Sequence, residues 1–170
     1  MELTMLGTGN ALVTECYNTC FAIRENEDYF LVDGGGGNTI LHQLKYAGID
    51  WKKIRTIFVT HKHVDHIMGI VWILRLICQR ISQGEFDGEV TLYGHDEALE
   101  LVREMAEKLL PAKVTKYVDD KFHLVPVVGM NRTMSVRKNM WKTARGCYMR
   151  HFACIHRQIF FHHMKNIILQ

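Results

Sequence analysis

Three histidines and an aspartate lie within the six-residue run from His61 to His66, directly after an apolar, β-branched stretch over residues 54–60. The stretch predicts a strand, so the run occupies the loop at its end. Imidazole and carboxylate together suit zinc or a similar divalent metal. Two adjacent ions in such a loop suit hydrolysis of a phosphate ester, because one generates hydroxide while both stabilise the developing charge. The alternative is a solvated polar loop that binds nothing.

The length of 170 residues favours one domain, and 48% apolar residues is ordinary for a globular protein. The sequence has no apolar run long enough to span a bilayer and no basic, signal-like start, so we expect no membrane association. Its five cysteines form no CxxC pair: Cys16, Cys20, Cys78, Cys147 and Cys154. An odd count without a secretory signal predicts reduced thiols and a cytoplasmic protein.

Alternating and helical patterns divide the first 126 residues into short elements. Strands are predicted over residues 1–6, 20–23, 29–32, 54–60, 90–94 and 122–126, and helices over 39–47, 67–81 and 97–109. In the last helix, Leu101, Met105 and Leu109 form an apolar line. The run from Asp33 to Gly37 contains four glycines, which permit backbone angles closed to other residues. Strands followed by alternating strands and helices predict a layered α/β sandwich.

The charge distribution separates the last 44 residues from the rest. Residues 1–126 contain all 18 acidic residues and 13 of the 21 basic ones, a net charge of −5. Residues 127–170 contain the other eight basic residues and no acid, a net charge of +8. In this segment Met, Arg, His and Cys follow no period, whereas local pattern and fold normally agree. We therefore expect a domain over 1–126 and an irregular, aberrant tail over 127–170.

Three motifs resemble the metallo-β-lactamase fold: the start over residues 1–9, the glycine turn over residues 32–37, and the run over residues 60–66 with Gly69. The start and the surroundings of His61 look most like ribonuclease Z, the tRNA 3′-processing endonuclease. The resemblance covers residues 1 to about 126 and implies the N-terminal half of an αββα sandwich. Two departures are Val64, where the family has glycine, and a missing acid in the glycine turn.

The resemblance also implies roles for individual residues. His61 and His63 would bind a first zinc, and Asp65 and His66 a second, with manganese as an alternative metal. Asp65 would also orient or deprotonate the attacking water, and Asp33 would support a ligand by a hydrogen bond, as carboxylates do beside metal-bound imidazoles. The other histidines of residues 1–126 match no family ligand and are expected to be surface or hydrogen-bonded residues: His42, His95 and His123.

The family needs three further ligands from its second half, a histidine, a bridging aspartate after glycine and a late histidine, which this chain does not show in frame. A shifted reading frame offers an explanation. The junctions 130/131, 141/142 and 164/165 must then encode glutamate, and 140/141 must encode valine. With free codon choice elsewhere, the tail can read Gly-Asp-Glu, an acidic helix, His-Glu-Ala-Phe and His-His-Ser-Thr. The stretch for the third ligand histidine has no counterpart, which implies a deletion as well. The alternative is a genuine basic tail.

Three functions remain open at this point. The resemblance implies a zinc-dependent endoribonuclease acting on tRNA precursors or on another phosphodiester substrate. A second possibility is another hydrolase of the same fold, acting on a cyclic nucleotide, a thioester or a lactam, because function does not follow from fold. The third is a catalytically inactive, truncated product, or a protein that binds nucleic acid through its basic tail. Exposed apolar surface in an incomplete sandwich predicts poor solubility or a homodimer.

Overall fold

A six-stranded sheet forms the centre of the chain in a computed structural model, which describes residues 1–127. These residues fall within one compact unit, Met1–Met130. The strands run along the sheet in sequence order: β1 (Glu2–Gly7), β2 (Cys20–Glu25), β3 (Asp28–Val32), β4 (Ile54–Val59), β5 (Val90–Gly94) and β6 (Phe122–Pro126). All six predicted strands are therefore confirmed within one or two residues at each end.

The type of strand pairing changes once across the sheet, from antiparallel to parallel at β3. β1, β2 and β3 pair antiparallel, and a tight turn with Asn26 at φ 54° joins β2 to β3. β3, β4, β5 and β6 pair parallel, so each connection between them must cross over the sheet. Parallel strands end at the same edge, and β3 and β4 are neighbours. The residues that follow these two strands, Asp33 and Thr60, are consequently brought side by side.

Helices fill the crossovers and cover one face of the sheet. The helices are α1 (Thr39–Tyr46), α2 (Val64–Ser82), α3 (Asp96–Leu109) and α4 (Ala112–Thr115), with a short 3₁₀ turn at Trp51–Lys53. A row of cross-strand neighbours, Ala22, Leu31, Ile57 and Leu92, joins the buried residues of α2 and α3 in one apolar core. Burial of this surface is the main favourable contribution to stability in the described part of the chain.

Two helix predictions need correction. α2 begins at Val64, three residues earlier than predicted, because His63 is extended and Asp65 lies in the first turn, where a carboxylate interacts favourably with the helix dipole. In α3 the buried face is formed by Ala98, Leu99, Val102 and Ala106, and Leu109 is 62% exposed. Of the expected apolar line, Leu101 and Met105 are partly buried against the core, so the prediction was wrong at Leu109 and missed the more deeply buried face beside them.

The described residues form one sheet and one helix layer of the predicted α/β sandwich. On the face opposite the helices, Leu3 and Met5 of β1 are each 48% exposed. Among residues 1–127, no helix has both the length and the apolar character needed to cross a membrane. The predicted aberrant tail over 127–170 lies, apart from Val127, outside the described residues.

The described cysteines differ sharply in environment, and this leads to a labelling prediction. Cys16 is exposed, whereas Cys20 and Cys78 are buried, and burial raises the pKa of each buried thiol to about 12. Because the thiolate is the reactive form, iodoacetamide at pH 8 should modify Cys16 in minutes and leave Cys20 and Cys78 unmodified until urea unfolds the protein. Peptide mass spectrometry measures all three. Rapid native labelling of Cys78 would contradict this core.

Candidate metal centre

The three histidines of the ligand run come together between the end of β4 and the start of α2. The ring centres of His61 and His63 are 4.5 Å apart, and those of His61 and His66 are 4.0 Å apart. A carboxylate oxygen of Asp65 lies 3.4 Å from Nε2 of His66. The four predicted ligands therefore form one cluster of nitrogen and oxygen donors rather than a dispersed polar loop.

Asp33 is the buried anchor of this cluster, with only 4% of its surface exposed. Its carboxylate accepts hydrogen bonds from the backbone N–H of Thr60 at 2.8 Å and from Nδ1 of His66 at 2.8 Å. Because a carboxylate only accepts, Nδ1 of His66 carries the hydrogen, and the other ring nitrogen, Nε2, lies beside Asp65. The structure thus places Asp33 beside a predicted ligand, in the supporting position that the resemblance implies.

Asp33 also adopts an unusual backbone conformation. Its φ of 59° lies in the left-handed region, which is uncommon for any residue except glycine. Its N–H donates to the carbonyl of Phe58 at 2.8 Å, and this bond helps to hold the strained geometry. Strain of about 1–3 kcal/mol persists only where surrounding contacts enforce it, and such residues cluster at functional sites.

Thr60 links Asp33 to a second histidine, a role that was not predicted from the sequence. Its hydroxyl lies 3.0 and 2.8 Å from the two carboxylate oxygens of Asp33 and 2.9 Å from Nδ1 of His61. One carboxylate therefore contacts His66 directly and His61 through a hydroxyl. The signal available in the sequence was a hydroxyl residue between the strand and the first histidine.

The glycine turn packs directly against the first turns of α2. The N–H of Gly34 donates to the carbonyl of His66 at 2.8 Å, and the N–H of Gly69 donates to the carbonyl of Gly35 at 2.9 Å. A Cβ at Gly69 would overlap the carbonyl oxygen of Gly34, and a Cβ at Gly34 would overlap backbone atoms of α2. The close contact requires glycine on both sides and fixes His66 relative to Asp33.

Tyr17, in the loop between β1 and β2, supports the turn from its other side. Its hydroxyl lies 2.8 Å from the carbonyl oxygens of both Gly34 and Gly37 and accepts from the N–H of Gly37 at 3.2 Å. Burial raises the pKa of Tyr17 to about 12, so it stays protonated as a donor. No sequence pattern indicates this contact, because it joins residues about twenty positions apart.

Electrostatics differ between the two oriented histidines. Burial and the neighbouring His66 lower the pKa of His61 to about 4, so His61 is neutral at physiological pH. Burial also opposes the charged form of His66, but the hydrogen bond to Asp33 and the charges of Asp33 and Asp65 outweigh it and raise the pKa of His66. The site thus combines a neutral imidazole, His61, with a second imidazole, His66, whose protonated form is favoured by the carboxylates of Asp33 and Asp65.

The donor set matches the chemistry of zinc and related ions, since it offers imidazole nitrogens and a carboxylate. Within residues 1–127, however, no group of three or more His, Cys, Asp or Glu residues is arranged so that it could hold a metal ion. A catalytic zinc usually has three protein ligands. The donors therefore have the chemistry that suits such a metal, but residues 1–127 do not by themselves form a complete set of ligands.

The three histidines that match no family ligand make the surface contacts or hydrogen bonds expected of them. His95 caps α3 by accepting from the N–H of Glu97 at 3.3 Å, and His123 pairs with Glu89 at 3.1 Å. The ring of His42 stacks on a neighbouring tyrosine of α1, with ring centres 6.2 Å apart. All three contacts explain these residues without a metal.

Comparison with known families identifies the chain. The family model described as anti-Pycsar protein Apyc1 matches residues 1–158. The chain belongs to the Apyc1 family. The match runs past Pro126, the residue after which the charge pattern changes.

Curated relatives carry the name ribonuclease Z. The protein from Methanothermobacter thermautotrophicus is 44% identical over 71 residues, which is 41% of this chain and 22% of that protein. The protein from Staphylococcus carnosus is 39% identical over 99 residues, which is 55% of this chain and 30% of that protein. The chain thus spans less than a third of the length of either relative.

Solved structures confirm the fold. Human tRNase Z, short form, aligns with a TM-score of 0.57 at 26% identity, covering 74% of this chain and 44% of that one. A metallo-β-lactamase fold protein from Bacillus subtilis aligns with a TM-score of 0.54 at 16% identity, covering 74% and 46%. The chain is therefore an α/β protein with the N-terminal part of a metallo-β-lactamase fold, similar to ribonuclease Z, as predicted.

Proposed function

We propose that the protein descends from a metal-dependent phosphodiester hydrolase and that His61, His63, Asp65 and His66 are its metal ligands in this half of the fold. The observation that carries the proposal is the cluster itself: the ring centres of His63 and His66 lie 4.5 and 4.0 Å from that of His61, and one buried carboxylate orients His66 directly and His61 through Thr60. Carboxylates that orient ligand imidazoles in this way are typical of metal sites.

A pair of divalent ions, zinc or manganese, would supply a nucleophilic hydroxide and neutralise charge on the phosphate. The residues of this chain have separate tasks around that chemistry. Nε2 of His61 and Nε2 of His66 are the ring atoms that would bind the ions. The carboxylate of Asp65 lies beside His66, where it can accept a proton from the attacking water. Asp33 holds the two imidazoles and does not contact substrate.

The similarity to relatives named ribonuclease Z supports the 3′ end of a tRNA precursor as the first candidate substrate. A cyclic nucleotide is the second candidate, because it contains the same kind of bond and needs the same chemistry. The family match favours a second candidate, because the matching family is named for Apyc1 and not for ribonuclease Z. The relatives named ribonuclease Z are covered over less than a third of their length. Thioesters and lactams complete the substrate panel.

We further propose that residues 127–170 result from a change of reading frame, accompanied by a deletion. The change from 18 acidic residues before position 127 to none after it supports this, as do the four forced codon junctions. The physical consequence of this change would be an incomplete set of metal ligands, as found within residues 1–127. Two ligands per ion leave metal affinity low, so the 170-residue product should be inactive. Its exposed apolar surface should cause it to associate, as a homodimer or larger assembly.

We place the protein in the cytoplasm, where its described thiols would stay reduced.

The test compares three proteins: the 170-residue chain, a full-length form in which both the frame and the deleted stretch after the Pro126 codon are restored, and that form with His63→Ala. We expect metal-dependent cleavage of a tRNA precursor by the restored form alone. His42→Ala is the matched control, because it removes an exposed histidine outside the cluster, and it should retain activity.

Cleavage of a cyclic nucleotide but not RNA would transfer the proposal to the second substrate. Full activity of His63→Ala, or no hydrolysis of any substrate in the panel, would reject it. Tight zinc binding with hydrolysis by the 170-residue chain would reject the inactive-product proposal. Salt-sensitive RNA binding by that chain, without hydrolysis, would instead support a genuine basic tail.

A further inference from the structure

The hydroxyl of Thr60 occupies a position between a carboxylate and an imidazole. It lies 3.0 Å from Oδ1 and 2.8 Å from Oδ2 of Asp33, and 2.9 Å from Nδ1 of His61. Asp33 is almost fully buried, and its second oxygen also accepts from Nδ1 of His66 at 2.8 Å. The hydroxyl therefore has two neighbours that compete for its single hydrogen.

Donor and acceptor counting resolves this competition. A hydroxyl has one hydrogen to donate and lone pairs with which to accept, whereas an ionised carboxylate only accepts. If Thr60 donated to His61, its oxygen would face an oxygen of Asp33 at 2.8 Å with no hydrogen between them. The hydrogen of Thr60 must therefore point to Asp33, and the oxygen of Thr60 must accept from Nδ1–H of His61.

We propose that Thr60 is a positioning residue whose hydroxyl selects the Nδ1–H tautomer of His61 and so leaves the lone pair of Nε2 free. Asp33 selects the same tautomer of His66 directly, so a single buried carboxylate sets both rings. The use of these lone pairs for metal binding rests on the proposed function, whereas the tautomer does not depend on it.

The experiment measures the tautomer without metal or substrate. The 170-residue chain is labelled with ¹⁵N-histidine, treated with a chelator and recorded at neutral pH by long-range ¹H–¹⁵N correlation, or by magic-angle spinning if it precipitates. A His61→Gln variant assigns the His61 signals. We expect His61 of the unsubstituted chain to be entirely Nδ1–H. An Nε2–H tautomer or a doubly protonated ring would overturn the proposal, even if no variant folded.

Three variants separate the hydroxyl from the fold. Thr60→Val keeps the side-chain shape but removes the hydroxyl, so His61 should become a mixture of tautomers. Thr60→Ser restores the hydroxyl and should restore the single tautomer. Thr56→Val, which makes the same change earlier on β4, should leave His61 unaltered. If Thr60→Val retains a pure Nδ1–H tautomer while folded, the proposal is wrong.

Zinc affinity provides the second readout. In the frame-restored protein, Thr60→Val should weaken zinc binding by at least about 10-fold in a competition titration, and Thr60→Ser should not, since partners that orient metal ligands contribute about 10–100-fold. If the tautomer behaves as expected but no form binds metal, the proposed function fails and the inference about Thr60 stands. If metal binds but the tautomer is Nε2–H, the reverse holds.

Discussion

Replacing Gly69 by alanine should destabilise the protein by about 3 kcal/mol or more, although alanine is the better helix former. In an exposed helix interior the same change would stabilise by about 1 kcal/mol. Here the added Cβ would overlap the carbonyl oxygen of Gly34, and its backbone cannot move away without breaking the hydrogen bond from Gly69 to Gly35. Overpacking of a buried contact commonly costs 1–3 kcal/mol, and more where backbone must shift.

Urea unfolding of the 170-residue chain, followed by circular dichroism, measures this effect. Gly37→Ala is the matched control, because a Cβ there has no atom within 4 Å. Its free energy of unfolding should stay within about 0.5 kcal/mol of that of the unsubstituted chain. If Gly69→Ala were as stable as the parent or more so, the close packing of the glycine turn on α2 would be incorrect.

Replacing Asp33 by alanine should have the second large effect, a loss of about 3 kcal/mol. Removal of the carboxylate leaves the N–H and hydroxyl of Thr60 and Nδ1 of His66 without their acceptor. Each buried donor left unpaired costs about 1–3 kcal/mol, and the desolvation cost of the lost charge offsets part of the sum. Asp33→Asn retains an acceptor oxygen, so its free energy of unfolding should lie between those of the unsubstituted protein and Asp33→Ala.

The same urea titration measures this series, with Asp120→Ala as the control because Asp120 is an exposed aspartate on the surface. The control should change stability by no more than about 0.5 kcal/mol. In the frame-restored protein, Asp33→Ala should also weaken zinc binding by about 10–100-fold. Equal stability of Asp33→Ala and Asp120→Ala would show that the carboxylate does not organise the ligand loop.

The sequence was most informative where chemistry and local pattern coincide. The run after β4 could be assigned to a strand end because β-branched residues precede it, and the supporting place of Asp33 followed from the family resemblance. The start of α2 was placed too late, because the ligand run looks like a loop although Val64, Asp65 and His66 already have helical geometry.

Tertiary hydrogen bonds were beyond sequence reasoning. Tyr17 contacts Gly34 and Gly37 only because the sheet brings the loop after β1 beside the turn after β3. Thr60 contacts Asp33 only because β3 and β4 are parallel neighbours. Neither contact has a periodic or compositional signature, since each joins residues separated by 17 or more positions.

The strand order of the sheet also bears on synthesis. Each strand from β2 to β6 is added beside the strand made just before it, so no strand has to wait for a distant partner. The β2–β3 hairpin closes a short loop and can form early, whereas the parallel pairings close longer crossover connections. The N-terminal part of a chain folds first as it leaves the ribosome. The six strands of residues 1–126 therefore pair with one another in chain order, whichever frame the codons after Pro126 are read in.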